Sequence, residues 1–211
     1  MDRYGSFVAA LSDTYAITEH DGALRGIEVD LSPLGAHMLF GVAMHELSSR
    51  LVLPLEDVLG IEAGELLERL DGAPSWDARF AILDRFILGR VQQARPPSPD
   101  VEWAWGRLRA TGGLLPVGSL ARELGCSRRH LIGRFREQVG PAPKTVARLV
   151  RFQRTVRLLE RQDGRRFAEI AQRCGYYDQA HMNREFRALA GTAPSEFVAR
   201  LLPDGLGVAA D

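Results

Sequence analysis

One stretch of this chain occurs twice. Leu120 to Pro143, LARELGCSRRHLIGRFREQVGPAP, recurs as Ile170 to Pro194, IAQRCGYYDQAHMNREFRALAGTAP. Ala121, Gly125, Leu131, Phe135, Gly140 and Pro143 answer to Ala171, Gly175, Met182, Phe186, Gly191 and Pro194. The offset is 50 as far as the first glycine and 51 beyond it, because the second copy carries one added residue. A duplicated segment must form the same local structure twice, and here the residue types spell two helices joined by a tight turn. The small alanine lets the first helix lie close against the second. The glycine can take the positive φ that a sharp exit from the first helix requires. Ser127 and Asp178 suit the N-cap of the second helix. Leu131/Phe135 and Met182/Phe186 stand four apart and so share one face, expected to be buried.

Opposite that face lie Arg128, Arg129, Ile132, Gly133 and Arg136 in the first copy, and Gln179, Ala180, Asn183, Arg184 and Arg187 in the second. Arginine forks match guanine O6 and N7, and the amides of Gln179 and Asn183 match adenine N6 and N7. A plain helical repeat with solvated arginines would account for one such copy equally well. Two copies with the same Ala-x3-Gly turn, both followed by base-reading side chains, favour two helix-turn-helix units that bind double-stranded DNA.

At these residues the chain resembles the AraC/XylS family of bacterial transcription regulators. The first unit's pattern LA-x-x-LG-x-S-x-x-x-L-x-x-x-F is met from Leu120 to Phe135. The second unit's IA-x-x-x-G…F-x-x-x-x-G-x-x-P is met by Ile170, Ala171, Gly175, Phe186, Gly191 and Pro194. The resemblance covers residues 100–200. It implies a mainly α protein whose DNA-binding domain has two helix-turn-helix units joined by a long linking helix, preceded by a small α+β N-terminal region with few strands. It also implies base readers at Arg129, Ile132 and Gly133 in the first recognition helix, and at Gln179, Ala180, Asn183 and Arg184 in the second; Arg128 and Arg136 join them from the outward face. Gly133 departs from the long polar side chain that relatives often carry there, which reduces direct readout at that position.

The net charge of zero conceals a division. Residues 1–99 hold 8 basic and 15 acidic side chains, net −7, and residues 100–211 hold 19 and 12, net +7. The second half is therefore the one suited to a polyanion. All of its basic residues but Lys144 are arginine, which forks onto phosphate and guanine edges, although genome base composition explains that bias equally well. Two cysteines, Cys126 and Cys174, imply no disulfide framework, and with His130 they fall short of a metal-ligand set. No cofactor is expected. No apolar run nears the ~18 residues of a membrane span, and the N-terminus lacks the order of a signal peptide, so a cytoplasmic location is expected.

Along the chain, residues 1–32 read as a partial β segment. Phe7 to Leu11, Tyr15 to Ile17 and the alternating Ile27/Val29/Leu31 are strand candidates, with Asp21-Gly22 as a turn. The segment resembles only the last strands of the family's sensing domain, as if the chain were shortened at its start. Residues 33–91 read as a helical, regulatory or dimerisation region opened by Ser32-Pro33. Its three apolar stripes are Leu34/Met38/Val42/Leu47, Ile61/Leu66/Leu67/Leu70 and Trp76/Phe80/Leu83/Phe86/Ile87. His37, His45 and Glu46 lack the second histidine of a zinc motif. Residues 92–99, QQARPPSP, read as a linker because three prolines in four residues stop a helix.

Residues 100–200 follow as the double helix-turn-helix domain, and 201–211 as a flexible tail. Within that domain Val101 to Ala110 is expected to be a helix. Lys144 to Arg161 is expected to be the buried linking helix, ended by Gly164 after Asp163. Arg151 and Arg154 on that helix, with Arg187, are expected on the DNA sugar-phosphate backbone rather than on bases.

No nucleophile-base pair, phosphate loop or metal constellation points to an enzyme. The rival reading is a protein-interaction module whose acidic N-terminal half binds another regulator or RNA polymerase. A homodimer and a small-molecule effector stay open as further partners.

Overall fold

The structure, a computed structural model, describes residues 4–16, 26–161 and 166–200. In chain order the elements are β1 (Phe7–Ala9), α1 (Pro33–Phe40), α2 (Met44–Ser48), β2 (Val52–Pro54), α3 (Leu55–Leu59), α4 (Ile61–Asp71) and α5 (Trp76–Gln93). There follow α6 (Pro99–Ala110), α7 (Val117–Glu123), α8 (Arg128–Gln138), α9 (Pro143–Glu160), α10 (Phe167–Arg173), α11 (Gln179–Ala190) and α12 (Pro194–Arg200). The protein is mainly α, as expected. Two compact units divide it, residues 1–11, 20–102 and 129–142 in one and residues 12–19, 103–128 and 143–211 in the other.

In the first unit α1 begins where Ser32 accepts the Gly35 amide at 3.0 Å and Pro33 stands at the first helical position. That combination satisfies an end amide and presets φ for the helix. Its core gathers Ala36, Leu39 and Phe40 of α1 with Met44, Leu47, Leu53, Leu59 and Ala63, and Phe86 and Ile87 of α5 pack against it from outside. The buried face of α1 is thus Ala36/Leu39/Phe40, displaced from the expected Leu34/Met38, which are only half-buried.

Two further stripes differ from expectation. Ile61 of α4 is 82% exposed, and Ala63 with Leu66 forms the buried face there. Trp76 and Phe80 of α5 are about half exposed, at 51% and 50%, and no residue of α5 is fully buried. This long helix lies on the surface, so half of its apolar stripe never leaves solvent.

The β structure is smaller than expected and differently made. β1 pairs antiparallel with β2, Phe7 opposite Pro54 and Ala9 opposite Val52. Val52–Pro54 falls inside the region read as helical, whereas Ile27, Val29 and Leu31 form no strand and Tyr15 and Ala16 lie outside any strand. A three-residue strand ending in proline carries too short a pattern to announce itself. Alternation without a neighbouring strand leaves the backbone polar groups unpaired, so Ile27 to Leu31 stays irregular. Ile17, Asp21-Gly22, Asp163-Gly164 and residues 201–211 lie outside the described residues.

In the second unit α9 is the central element, 18 residues long, with Val146, Ala147, Val150, Thr155 and Leu159 buried. Leu159, Ile170, Ala171, Cys174, Tyr176, Met182 and Phe186 form one core, joined by Phe152 and Phe197. Phe186 stacks tilted against Phe152 and edge-on against Phe197, at ring separations of 4.9 and 5.3 Å. Aromatic pairs at such separations contribute beyond their buried area.

Candidate nucleic-acid interface

The two sequence copies coincide at the level of single hydrogen bonds. Ser119 and Leu120 donate to the Pro116 carbonyl at 2.8 and 3.3 Å, as Glu169 and Ile170 donate to the Arg166 carbonyl at 2.9 and 3.2 Å. At the other end, the amides of Leu124, Gly125 and Cys126 donate to Leu120, Arg122 and Ala121 at 3.0, 3.1 and 3.0 Å. Those of Cys174, Gly175 and Tyr176 donate to Ile170, Gln172 and Ala171 at 2.9, 3.0 and 2.9 Å. In each copy the bond back to the alanine carbonyl closes a turn with the glycine in the left-handed region, φ 64° at Gly125 and φ 76° at Gly175. A side chain at such a φ is strained, which is why both turns carry glycine. Gly175 is confined as well, since Leu114 lies where a Cβ would have to stand.

The helices after these turns present the faces expected of them. In α8, Leu131 and Phe135 are buried, while Arg128, Arg129, Ile132, Gly133 and Arg136 are exposed. In α11, Met182 and Phe186 are fully buried; Gln179, Ala180, Arg184 and Arg187 are exposed and Asn183 half-exposed. Asp178 caps α11 by accepting the His181 amide at 2.6 Å. Arg128 is laid across Gly118 of α7, so near that a Cβ on that glycine would collide with its guanidinium. Nothing within 4 Å would meet a Cβ at Gly133, so that position is an open notch in the face of α8 rather than a tight contact.

The expected backbone contacts divide. Arg154 and Arg187 are exposed, but Arg151 is turned to the interior of the second unit. Its guanidinium stands 3.5 Å from both oxygens of Glu185 and 5.7 Å from the Tyr176 ring, and its Nε is buried without a hydrogen-bond partner among the described residues. Arg148 reaches the same carboxylate at 3.1 Å and Asp13 at 3.1 Å. Glu185 thereby collects two guanidinium groups from α9, and His181 approaches it at 3.9 Å. Beneath this cluster Thr155 donates to the Arg151 carbonyl at 2.9 Å and stands 3.4 Å from the Tyr176 hydroxyl. Burial pushes the Tyr176 phenol above its ordinary pKa, so it stays protonated as a buried polar group.

Three residues of the site escaped the sequence reading. The sequence assigned Glu185 and Tyr176 no role, and only the packing of α9 on α11 shows that they hold α11 in place. Tyr177, 91% exposed immediately before the Asp178 cap, is an aromatic side chain with no fold role.

Among the described residues no group of His, Cys, Asp and Glu forms a metal site, and no helix is long and apolar enough to cross a membrane. Cys126 is half-exposed and Cys174 buried, both free thiols.

Residues 120–200 match the family described as helix-turn-helix domain. The HTH-type transcriptional regulator Rv1931c of Mycobacterium tuberculosis is 31% identical to this chain over 107 residues, 51% of this chain and 41% of that protein. The chain thus spans about two fifths of the length of that curated relative. Among solved structures, the C-terminal domain of AraT, a response regulator from Geobacillus stearothermophilus, is 23% identical with a TM-score of 0.47, covering 49% of this chain and 86% of that one. A DNA-binding transcriptional dual regulator from Escherichia coli K-12 is 21% identical with a TM-score of 0.42, covering 51% of this chain and 96% of that one.

Proposed function

We propose, from the premise that residues 120–200 match a helix-turn-helix domain family and resemble the AraC type in their two turns, that this protein is a sequence-specific DNA-binding regulator of bacterial transcription. The observation that carries the reading is the hydrogen-bond identity of the two turns, each leading into a helix with a buried apolar face and an outward face that carries arginines and, in the second copy, the amides of Gln179 and Asn183. In this reading α8 and α11 enter adjacent major-groove segments of one duplex. The 18-residue α9 is the spacer between them; at 1.5 Å per residue it spans ~27 Å, of the order of the ~34 Å between successive major-groove faces.

Arg129 and Arg136 on α8, with Gln179, Asn183 and Arg184 on α11, carry direct readout. Each well-made bidentate contact discriminates by ~1–3 kcal/mol. Ile132 and Ala180 offer apolar contact to thymine methyl groups, Arg128 sits at the edge of the first reading face, and Gly133 leaves room for close approach of the helix backbone. Arg154 and Arg187 hold phosphate, while Arg151 acts through Glu185 to position α11.

The test is a fluorescence-anisotropy titration of the whole chain on a selected site and on random DNA across a range of salt. Affinity should fall with a log-log slope of about −0.9 per phosphate contacted, and the selected site should be preferred. A slope near zero with no preference for any sequence would refute the reading.

The exposed Trp76 and Phe80 favour a second, compatible role. They stack at 6.3 Å with Arg79 placed 5.0 Å over the Trp76 ring, on a helix without a buried residue. Such a face suits another protein, whether a second copy, another regulator or RNA polymerase. Trp76→Ala should then abolish that association in analytical ultracentrifugation or pull-down while leaving DNA affinity unchanged.

A further inference from the structure

The first compact unit contains a cleft of about 990 Å³, walled by α1, α5, the proline-rich segment after α5, and α8. Small-ligand sites occupy roughly 300–1,000 Å³, so this one is at the upper end of that range. Its lining is unevenly charged: Arg85, Arg90, Arg95 and Arg134 face Glu62 and Glu137.

These charges are not equivalent. Arg90 is fully engaged, with Nε on the Leu39 carbonyl at 2.6 Å and Nη1 on Glu62 at 2.8 Å, so it closes the end of α1 and takes Glu62 with it. Arg134 meets Glu137 of its own helix only at 3.6 Å, too long for a hydrogen bond. Arg85 donates Nε to the Ala81 carbonyl at 3.1 Å, and its terminal nitrogens make no hydrogen bond among the described residues. Among the described residues no carboxylate pairs with Arg85 or Arg95. Two guanidinium groups without a paired carboxylate among the described residues, Arg85 and Arg95, and a third in a long ion pair, Arg134 with Glu137, therefore border one cavity.

The remaining lining carries two further features. Met38, Phe86, Pro96 and Pro97 supply apolar surface, and His37 contributes a buried Nδ1 with no hydrogen-bond partner among the described residues. A buried ring nitrogen left in that state is costly. The far wall is tied down, since Gln138 of α8 accepts the Ser98 amide at 2.8 Å and its hydroxyl at 3.2 Å.

We infer that this cleft binds a small organic anion, its carboxylate or phosphate head held by Arg85, Arg95 and Arg134 and its apolar body lying on Met38 and Phe86. Guanidinium forks match both head groups in bidentate geometry. Arg134 belongs to α8, so the bound anion touches the helix whose opposite face carries Arg129 and Arg136.

The experiment is calorimetric titration of the full chain, without DNA, with phenyl phosphate, benzoate and the neutral benzyl alcohol. Saturable binding of at least one anion, absence of binding by benzyl alcohol, and about tenfold weakening in Arg95→Ala or Arg134→Ala are expected, as for a lost charge-assisted hydrogen bond. Arg50→Ala, outside the cleft, should bind as the parent does. Preference for phenyl phosphate identifies a phosphate head and preference for benzoate a carboxylate head. The inference is overturned by no saturable binding of either anion at millimolar concentration, by binding undiminished in both cleft variants, or by equal binding of benzyl alcohol. Since no DNA is present, none of these results bears on the reading of α8 and α11 as recognition helices.

Discussion

Arg148 of α9 donates from Nε to Glu185 of α11 at 3.1 Å, where only 26% and 14% of the two side chains are exposed. Arg151 adds a second guanidinium to the same carboxylate at 3.5 Å. A carboxylate between two arginines on one neighbouring helix fixes both the rotation and the height of its own helix. The outward face of α11 is thereby held by a charge cluster on its flank as well as by Met182 and Phe186 beneath it.

Removing that carboxylate leaves the partly buried Arg151 guanidinium without a counter-charge and Arg148 with Asp13 alone. Glu185→Ala should lower stability by ~1–3 kcal/mol in chemical denaturation. It should also weaken binding to the selected DNA site more than binding to random DNA, because in the proposed reading Glu185 positions the base readers of α11 rather than touching phosphate. Unchanged stability together with an unchanged site preference would dismiss the cluster as incidental.

Gly175→Val should cost ~1–3 kcal/mol from the left-handed backbone alone, and more from collision with Leu114. Shortening Leu114 separates the two effects. In the Gly175→Ala background, Leu114→Ala should recover part of the loss in a thermal melt, the remainder being backbone strain. Complete recovery would mean that φ 76° at this turn is not needed.

Reading and holding should fail differently. Arg184→Ala and Asn183→Ala should each relax preference at one or two base pairs and cost ~1–3 kcal/mol on the best site. Arg154→Ala and Arg187→Ala should instead weaken all sequences alike and lower the salt slope by about one. Site selection with a salt titration on each variant distinguishes the classes. If Arg184→Ala leaves the selected motif intact, α11 is a clamp and α8 does the reading.

Glu196 offers a pH test. Its carboxylate accepts the Thr192 hydroxyl at 2.5 Å and the Ala193 amide at 3.2 Å at the start of α12, and these two hydrogen bonds hold its pKa below the ordinary value of 4.5. A group depressed in the folded state contributes stability that is present above the unfolded pKa and is lost as pH falls through the folded one. Glu196→Ala should therefore be less stable than the parent at pH 7, and the difference should shrink as pH falls below 4.5. A difference independent of pH would assign the effect to helix propensity instead.

Much of the candidate interface was legible because its chemistry is local. The bonds from Cys126 to Ala121 and from Tyr176 to Ala171 lie within one turn of chain, and the glycine that permits them stands in the sequence in plain view. The Asp178 cap and the Leu131/Phe135 and Met182/Phe186 pairs likewise depend on spacings of three and four residues. Where partners are distant in sequence the reading failed. β2 exists only because Phe7–Ala9 lies beside it, and the Ile27/Val29/Leu31 alternation came to nothing for want of such a neighbour.

Arginine shows the same division. Arg151 and Arg154 are indistinguishable as letters on one helix, yet one is drawn inward by Glu185 and Tyr176 and the other stays in solvent. Trp76 and Phe80 have the spacing of a core stripe but sit where no second layer covers them. Residues 129–142 of the first repeat copy fall in one compact unit, and residues 120–128 with the whole second copy in the other. The repeat, its turns and the polarity of its helices were thus determined by nearest-neighbour backbone chemistry and 3.6-residue periodicity. Which charges are neutralised, which apolar faces are covered and which helices wall the arginine-lined cleft were decided by tertiary packing alone, because burial depends on what arrives from elsewhere in the chain.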